Sequence, residues 1–402
     1  MSSPSIELPG AAAEKAGPPE VRIRQATRRD REALWEFMKA AYEEDAPGTV
    51  QYKVPRRWNW QFADNPFVRD KEGDDLLPIW IALVGDEIAG QMCALPMRIT
   101  IGGRTYDGGW GCDFIVLKKF RGRGVGWRLN EAYCRHFQVV VHVTQARATA
   151  KMWERWGMVA VSPVSIMWRI VRLNGSFVFR YLNAKTRTRP RLNRLFRTLC
   201  RFFALHHVLA FGLNGYALVR NAVRRPAPAG PGATITEETA FDAAFSSFID
   251  EAGAGYGALV KREPRFLAWK YVGNPVVPYH LFVLRREGAV KGYIALRRPH
   301  QAELGIGIIA DIFTAPGDTG SLEALLAHAV AFFGRGVRVI QTLVPSGRLA
   351  PVLKRSGFWT IKTYEPHFVC ADPALRETLK GQTGDWYITF ADHDQDQIRP
   401  VE

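Results

Sequence analysis

The apolar and polar positions of this chain run through the same series of patterns twice, roughly 200 residues apart. In the first series, Val21-Arg22-Ile23-Arg24 alternates as a strand with one buried face does. Thr27-Arg28-Arg29-Asp30 has the spacing of a capping box, and Ala33, Leu34, Phe37, Met38 and Ala41 follow at helical intervals. Apolar runs flanking Gly85-Asp86 predict a hairpin from Ile79 to Gly90. A β-rich run, Asp113 to Leu117, precedes the glycine loop Arg121 to Gly126. Val125, Leu129, Ala132, Tyr133 and Phe137 then mark one face of a helix, and a later helix closes at Gly157-Met158.

The second series keeps the order. Thr236 precedes a helix carrying Phe241, Ala244, Phe245 and Phe248. A hairpin is expected around Glu287-Gly288, an acid-led strand at Asp311-Ile312-Phe313, and a helix closing at Gly357-Phe358. Ahead of each hairpin stands Trp-x-aromatic-x-x-Asn-Pro, once from Trp60 to Pro66 and once from Trp269 to Pro275. Self-similarity at this period describes a duplicated domain. A chain of 402 residues also exceeds what one core usually organises. The expected division is a disordered tail over 1–20, a first domain over 21–172, a basic helical connector with a Pro/Gly hinge over 173–232, and a second domain over 233–402.

The glycine loop carries the chemistry. A helix N-terminus offers free backbone N–H groups and partial positive charge, and glycine lets a diphosphate approach them. Arg121 and Arg123 add forked donors for phosphate oxygens. The loop lacks the Gly-Lys-Ser/Thr ending of a P-loop and does not match GxGxxG. Arg-x-x-Gly-x-Gly after a strand resembles the acyl-CoA loop of the GCN5-related N-acetyltransferases. The resemblance covers about residues 20–170. It includes Ile23, Arg24, Ala26 and Asp30 at the start, the Gly90 hairpin, Val116 five residues before Arg121, and the ending at Gly157-Met158. It implies two α/β domains, each a mixed, mostly antiparallel sheet flanked by helices. It also implies acetyl-CoA or another acyl-CoA as co-substrate. The diphosphate would lie on Arg121, Gly122, Arg123, Gly124, Val125 and Gly126, and the pantetheine arm along Phe114, Ile115 and Val116. At the matching place the second half has Thr314 to Gly320, without the arginine pair and with Asp318 to repel a diphosphate. One active site per chain is therefore expected.

For proton transfer, Asp113 is the first candidate base, against a purely structural carboxylate. Glu131 reads as a solvated helix residue. The resemblance puts a tyrosine acid four residues before the closing glycine, where this chain has Trp153. It puts asparagine eleven residues before that glycine, where Ala146 stands. Tyr133 is the alternative acid, although its spacing with Leu129 and Phe137 also suits a core position. The acids Asp392, Asp394 and Asp396 either receive a cationic amine or form a solvated tail. No metal site is expected around His393.

The net charge of +15 favours anionic partners. Much of it lies in the connector, where Arg191, Arg194, Arg197 and Arg201 follow helical spacing and a largely apolar stretch, 202–219, comes next. Packing between the domains and peripheral contact of 185–201 with an anionic membrane are the two readings; no nucleic-acid motif accompanies the charge. Five scattered cysteines and no signal-peptide layout suit a cytoplasmic location. The reading is an acyl-CoA-dependent N-acyltransferase acting on a primary amine of a small molecule or surface-polymer precursor. The rivals are a non-catalytic CoA-binding or membrane-surface module and an aminoacyl-tRNA-dependent transferase of related duplicated fold.

Overall fold

The computed structural model describes residues 20–45, 55–68, 75–143, 153–154, 157–299, 305–370, 372–381 and 384–394. The tail up to residue 19, Ala146 and Asp396 lie outside these residues. The capping box forms: the Thr27 amide donates to Asp30 Oδ2 at 2.7 Å, and Arg24 pairs with the same carboxylate at 2.6 Å. It joins β1 (Val21–Thr27) to α1 (Arg31–Asp45). A short α2 (Pro55–Trp58) runs into a π-helical turn, Asn59–Ala63. Then come β2 (Leu76–Val84), β3 (Glu87–Ile101), β4 (Arg104–Val116), α3 (Val125–His136), β5 (Val139–His142), β6 (Val159–Ala160) and β7 (Val164–Ile170).

Three helices form the connector: α4 (Gly175–Thr186), α5 (Pro190–Phe203) and α6 (Leu205–Val223). The second half repeats the first. It comprises β8 (Ala233–Glu237), α7 (Ala243–Ala254), β9 (Ala258–Val260), α8 (Pro264–Leu267) with a π-helical turn Ala268–Val272, β10 (His280–Arg286), β11 (Ala289–Arg297) and β12 (Ile306–Thr314). After these come α9 (Thr319–Phe333), β13 (Val339–Pro345), α10 (Ala350–Arg355), β14 (Trp359–Tyr364), β15 (His367–Val369), α11 (Pro373–Gly381) and β16 (Trp386–Tyr387). The hairpin turns fall where expected, with Gly85, Glu287 and Gly288 at positive φ. The acid-led strands do not: Asp113 and Asp311 lie inside β4 and β12, each of which begins well before its acid.

Both sheets are mostly antiparallel; β4 with β5 and β12 with β13 are parallel pairs at matching places, and β9 with β16 is a further parallel pair in the first sheet. The halves exchange a strand. β7 lies between β13 and β14 in the second sheet, and β15 lies between β5 and β6 in the first. β9 also pairs with β3 of the first sheet. The repeated tryptophans meet at this junction. Trp60 and Trp269 stack at 4.6 Å and 15°, and each indole N–H donates to the other's carbonyl oxygen at 3.0 Å. The sequence repeat is thus an approximate two-fold in space. One apolar core, containing Leu34 and Ile79 as well as Tyr293 and Leu325, runs through both halves.

Candidate functional site

β4 and β5 hold register for three residues only, Gly108–Trp110 against Val139–Val141. Beyond Trp110, β4 continues to Val116 paired with β3 alone among the described residues. The strands therefore fork, and among the described residues no strand pairs with the second edge of the segment 111–116. Side-chain size keeps the fork in shape. A Cβ on Gly109 would stand 2.5 Å from the Phe137 ring, and one on Gly111 would stand 2.3 Å from the His142 ring.

The expected diphosphate loop follows β4. Gly122 and Gly124 have φ of +78° and +77°, a region glycine enters without strain, and a Cβ at either would meet nothing within 4 Å. Gly124 is the N-cap of α3, and no side chain caps that terminus. The first amides of α3 are therefore available to an external acceptor. Gly126 lies against Phe114, where a Cβ would be 3.3 Å from the ring. Arg121 Nε donates to the Val116 carbonyl at 2.8 Å, which holds its guanidinium at the end of β4. The Arg123 guanidinium lies 5.8 Å from the centre of the Phe120 ring.

Polar groups gather at the fork on the side of α1 and α2. Asp113 has φ of +46°, an uncommon value for a non-glycine residue inside a strand. Its Oδ1 accepts from Tyr42 at 2.5 Å, and Gln91 Nε2 donates to its carbonyl at 3.3 Å. Burial, and then the Asp113 carboxylate, hold the Tyr42 hydroxyl well above its ordinary pKa, so it is a donor at neutral pH. Gln61 reaches Cys112 Sγ at 3.7 Å and Asp394 Oδ2 at 3.3 Å. Asp392 and Asp394 are neither a solvated tail nor free to receive an amine. Asp394 is buried and pairs with Arg57 at 3.1 Å; Asp392 is buried and pairs with Arg262 at 2.5 Å. All five cysteines are free thiols.

Three polar-edged rings, Tyr133, His142 and Trp153, are buried together on the α3 side of the fork. Tyr133 is wholly buried and donates to the Gly109 carbonyl at 3.0 Å, so its hydroxyl ties α3 to the root of the fork rather than meeting solvent. His142 ends β5, and its ring lies 4.2 Å from that of Trp153. His142 Nε2 and Trp153 Nε1 are both buried, with no hydrogen-bond partner among the described residues. Burial, with His367 adding to it, pushes His142 down to about 3, so the imidazole is neutral. Sequence reasoning missed Tyr42, Gln61 and His142. Only His142 left a signal: a polar residue closing Val139-Val140-Val141.

The second fork is filled by the chain itself. Asp318 Oδ1 accepts from the Ser321 amide at 2.9 Å and caps α9, so the matching helix terminus is occupied. Asp311, the counterpart of Asp113, is buried and holds Arg262 at 3.1 Å, Tyr293 at 2.6 Å and Thr389 at 2.8 Å. The Tyr387 hydroxyl donates to the Ile312 carbonyl.

A parallel strand pair thus forks beside a glycine loop at an uncapped helix terminus. The acetyltransferase (GNAT) family model matches residues 32–158. A GCN5-related N-acetyltransferase from Anabaena variabilis superposes with a TM-score of 0.55 at 9% identity, covering 88% of this chain and 73% of the other. A conserved protein of unknown function from Enterococcus faecalis gives 0.53 at 9% identity with the same coverage. These identities establish fold alone. No curated protein matches the sequence. The matched segment lies in the first domain, and the fold is that of the GCN5-related N-acetyltransferases, with a second, similarly built half following it in the chain.

Proposed function

We propose that the chain is an acyl-CoA-dependent N-acyltransferase with a single active site, the fork of the first domain. The contrast between the two forks carries this reading. The first presents an uncapped helix terminus and a strand edge, whereas the second closes both with Asp318, Asp311 and Tyr387. The residues fit the co-substrate. The amides of 122–126 with Arg121 and Arg123 hold the diphosphate, and the backbone of Phe114, Ile115 and Val116 receives the pantetheine arm as an added strand. The thioester supplies an activated acyl group, with acetyl as the simplest case.

A primary amine entering from the α1 side must lose a proton as it attacks. Asp113 takes that proton, and Tyr42 orients the carboxylate through their hydrogen bond. Trp153 stands where the resemblance puts the tyrosine acid, and its indole N–H cannot release a proton, so the departing thiolate takes its proton from solvent. Tyr133 positions β4 through Gly109.

Calorimetry with acetyl-CoA tests the reading. The wild type is expected to bind one equivalent at micromolar order. Arg121→Glu combined with Gly124→Asp should weaken binding by about 2–3 kcal/mol through charge reversal and a capped helix terminus. A folded wild type that binds no acyl-CoA would reduce the loop to a turn and overturn the proposal.

A further inference from the structure

The connector is built inside out. On α6, the residues facing the protein include Asn214, Arg220 and Asn221. Asn214 bonds both the amide and the carbonyl of Leu173, Asn221 donates to Ile170 and Arg220 to Phe358. Ala210 and Ala217 complete that buried face. The outward face carries Val208, Phe211, Gly212, Gly215, Leu218 and Val219, with no charge among them. Phe211 is 82% exposed, Leu218 74% and Val223 81%. A surface helix of a protein surrounded only by water has the opposite arrangement. Of the large apolar side chains exposed anywhere among the described residues, all but Val272 lie between Leu192 and Val223. Concentration of that kind marks an interaction surface.

The neighbouring helix supplies charge. α5 meets α6 at Ala204 with a bend of 87°. It exposes Leu195, Phe202 and Phe203 beside Arg191, Arg194, Arg197 and Arg201. An open hollow of about 730 Å³ between the connector helices is lined by Arg187, Arg194, Arg197, Arg201 and His206, without a carboxylate. Across the sequence, no aspartate or glutamate occurs between Glu154 and Glu237.

We infer that α5 and α6 dock the protein on an anionic lipid bilayer, with the apolar faces in the acyl boundary and the arginines on lipid phosphates. Charge selects this occupant. A second copy placed face to face would bring two acid-free, arginine-rich surfaces together, which like-charge repulsion opposes. Lipid phosphate offers the missing anions, and hydrocarbon covers the apolar face. No single helix among the described residues is long and apolar enough to span a bilayer; α5 and α6 reach that length only together, and the 87° bend between them, with the arginines of α5, suits a pair lying on the surface. This inference is independent of the acyl-transfer site.

Co-sedimentation of the full chain with phosphatidylcholine vesicles, with and without phosphatidylglycerol, tests it. Binding is expected only with the anionic lipid, and raising the salt should weaken it. Two variants probe the two contributions: Phe211→Ser with Leu218→Ser, and Arg194→Gln with Arg197→Gln and Arg201→Gln. Each should lower partitioning at least about tenfold, while an unchanged circular dichroism spectrum and thermal transition report that the fold is kept. Absence of binding, equal binding to neutral vesicles, or unchanged binding by both variants would overturn it. So would a lipid-free dimer, seen by sedimentation velocity, that Phe211→Ser with Leu218→Ser dissolves while vesicles go unbound.

Discussion

Asp113 and His142 stand on opposite sides of one fork, and their surroundings assign them different work. Asp113 is half-buried at a positive φ, beside a tyrosine whose proton is held tightly. Asp113→Asn keeps the shape and the Tyr42 contact but cannot accept a proton. It should lower kcat by roughly 10²–10⁴-fold with acetyl-CoA affinity unchanged, and steady-state kinetics beside calorimetry would separate the two. A parallel loss of affinity would make Asp113 a structural carboxylate. His142 is buried and neutral, and its folded pKa of about 3 lies below the unfolded value of about 6.5. Its contribution to stability is complete above about pH 6.5 and is lost as pH falls toward 3, because only the unfolded chain takes up the proton. His393, also pushed down to about 3 by burial and by Lys270, acts in the same direction. Asp392, raised to about 6 by burial against the pull of Arg262, acts in the opposite one, favouring the fold below about pH 4 and losing that effect as pH rises through 6. Replacing one group isolates its share. The stability gap between wild type and His142→Gln should shift by about 1.4 kcal/mol per pH unit between about pH 6 and 4, in the sense of relieving acid sensitivity. Urea titrations across that range would measure it, and a constant gap would contradict a buried neutral imidazole.

The elements show what duplication preserved and what it discarded. α3 and α9 occupy the same place in their halves, but one begins at bare Gly124 and the other under the Asp318 carboxylate. Removing the cap alone does not restore a site, because Arg262, Tyr387 and Thr389 still occupy the fork around Asp311. Asp318→Gly should therefore cost only about 0.3 kcal/mol of stability and leave acetyl-CoA stoichiometry at one per chain. A second equivalent in calorimetry would mean that the second fork is only masked. Much of this was legible in the sequence. The Trp-x-aromatic-x-x-Asn-Pro repeat, the hairpins, the helix after the loop and the missing arginines of the second half are local patterns, and local patterns are what periodicity and turn chemistry encode. The fate of the C-terminal acids was not legible. Asp392 and Asp394 look solvated until Arg262 and Arg57, far away in the chain, are brought against them. The exchange of β7 and β15 was hidden for a related reason. Short apolar strands carry no mark of which sheet will pair with them, and that choice is made by long-range register.

At the scale of the whole molecule, the exchange turns two homologous halves into one folding unit. The first sheet takes β15, β9 and β16 from the second half, and the second sheet takes β7 from the first. Without β15, the apolar edge of β5 beside His142 would be bare, and without β7, β13 and β14 would have no common neighbour. The stacked Trp60 and Trp269, with their reciprocal hydrogen bonds, and the buried pairing of Arg57 with Asp394 add contacts that neither half can make alone. A buried ion pair broken by removing one partner costs about 3–5 kcal/mol, a large share of a typical stability. Neither half should therefore be stable by itself, and the intact chain should lose both sheets together. Calorimetry is expected to give one heat-absorption peak, and a fragment ending at residue 172 should fail to fold even with acetyl-CoA present. Two resolved peaks, or a soluble fragment with native-like circular dichroism, would show the halves to be independent. The consequence reaches the proposed active site: β5, one arm of the first fork, is fixed on its far side by a strand from the second domain. On that proposal the second domain sets the geometry of the first domain's site, and substitutions along β15 should alter kcat without touching the co-substrate loop.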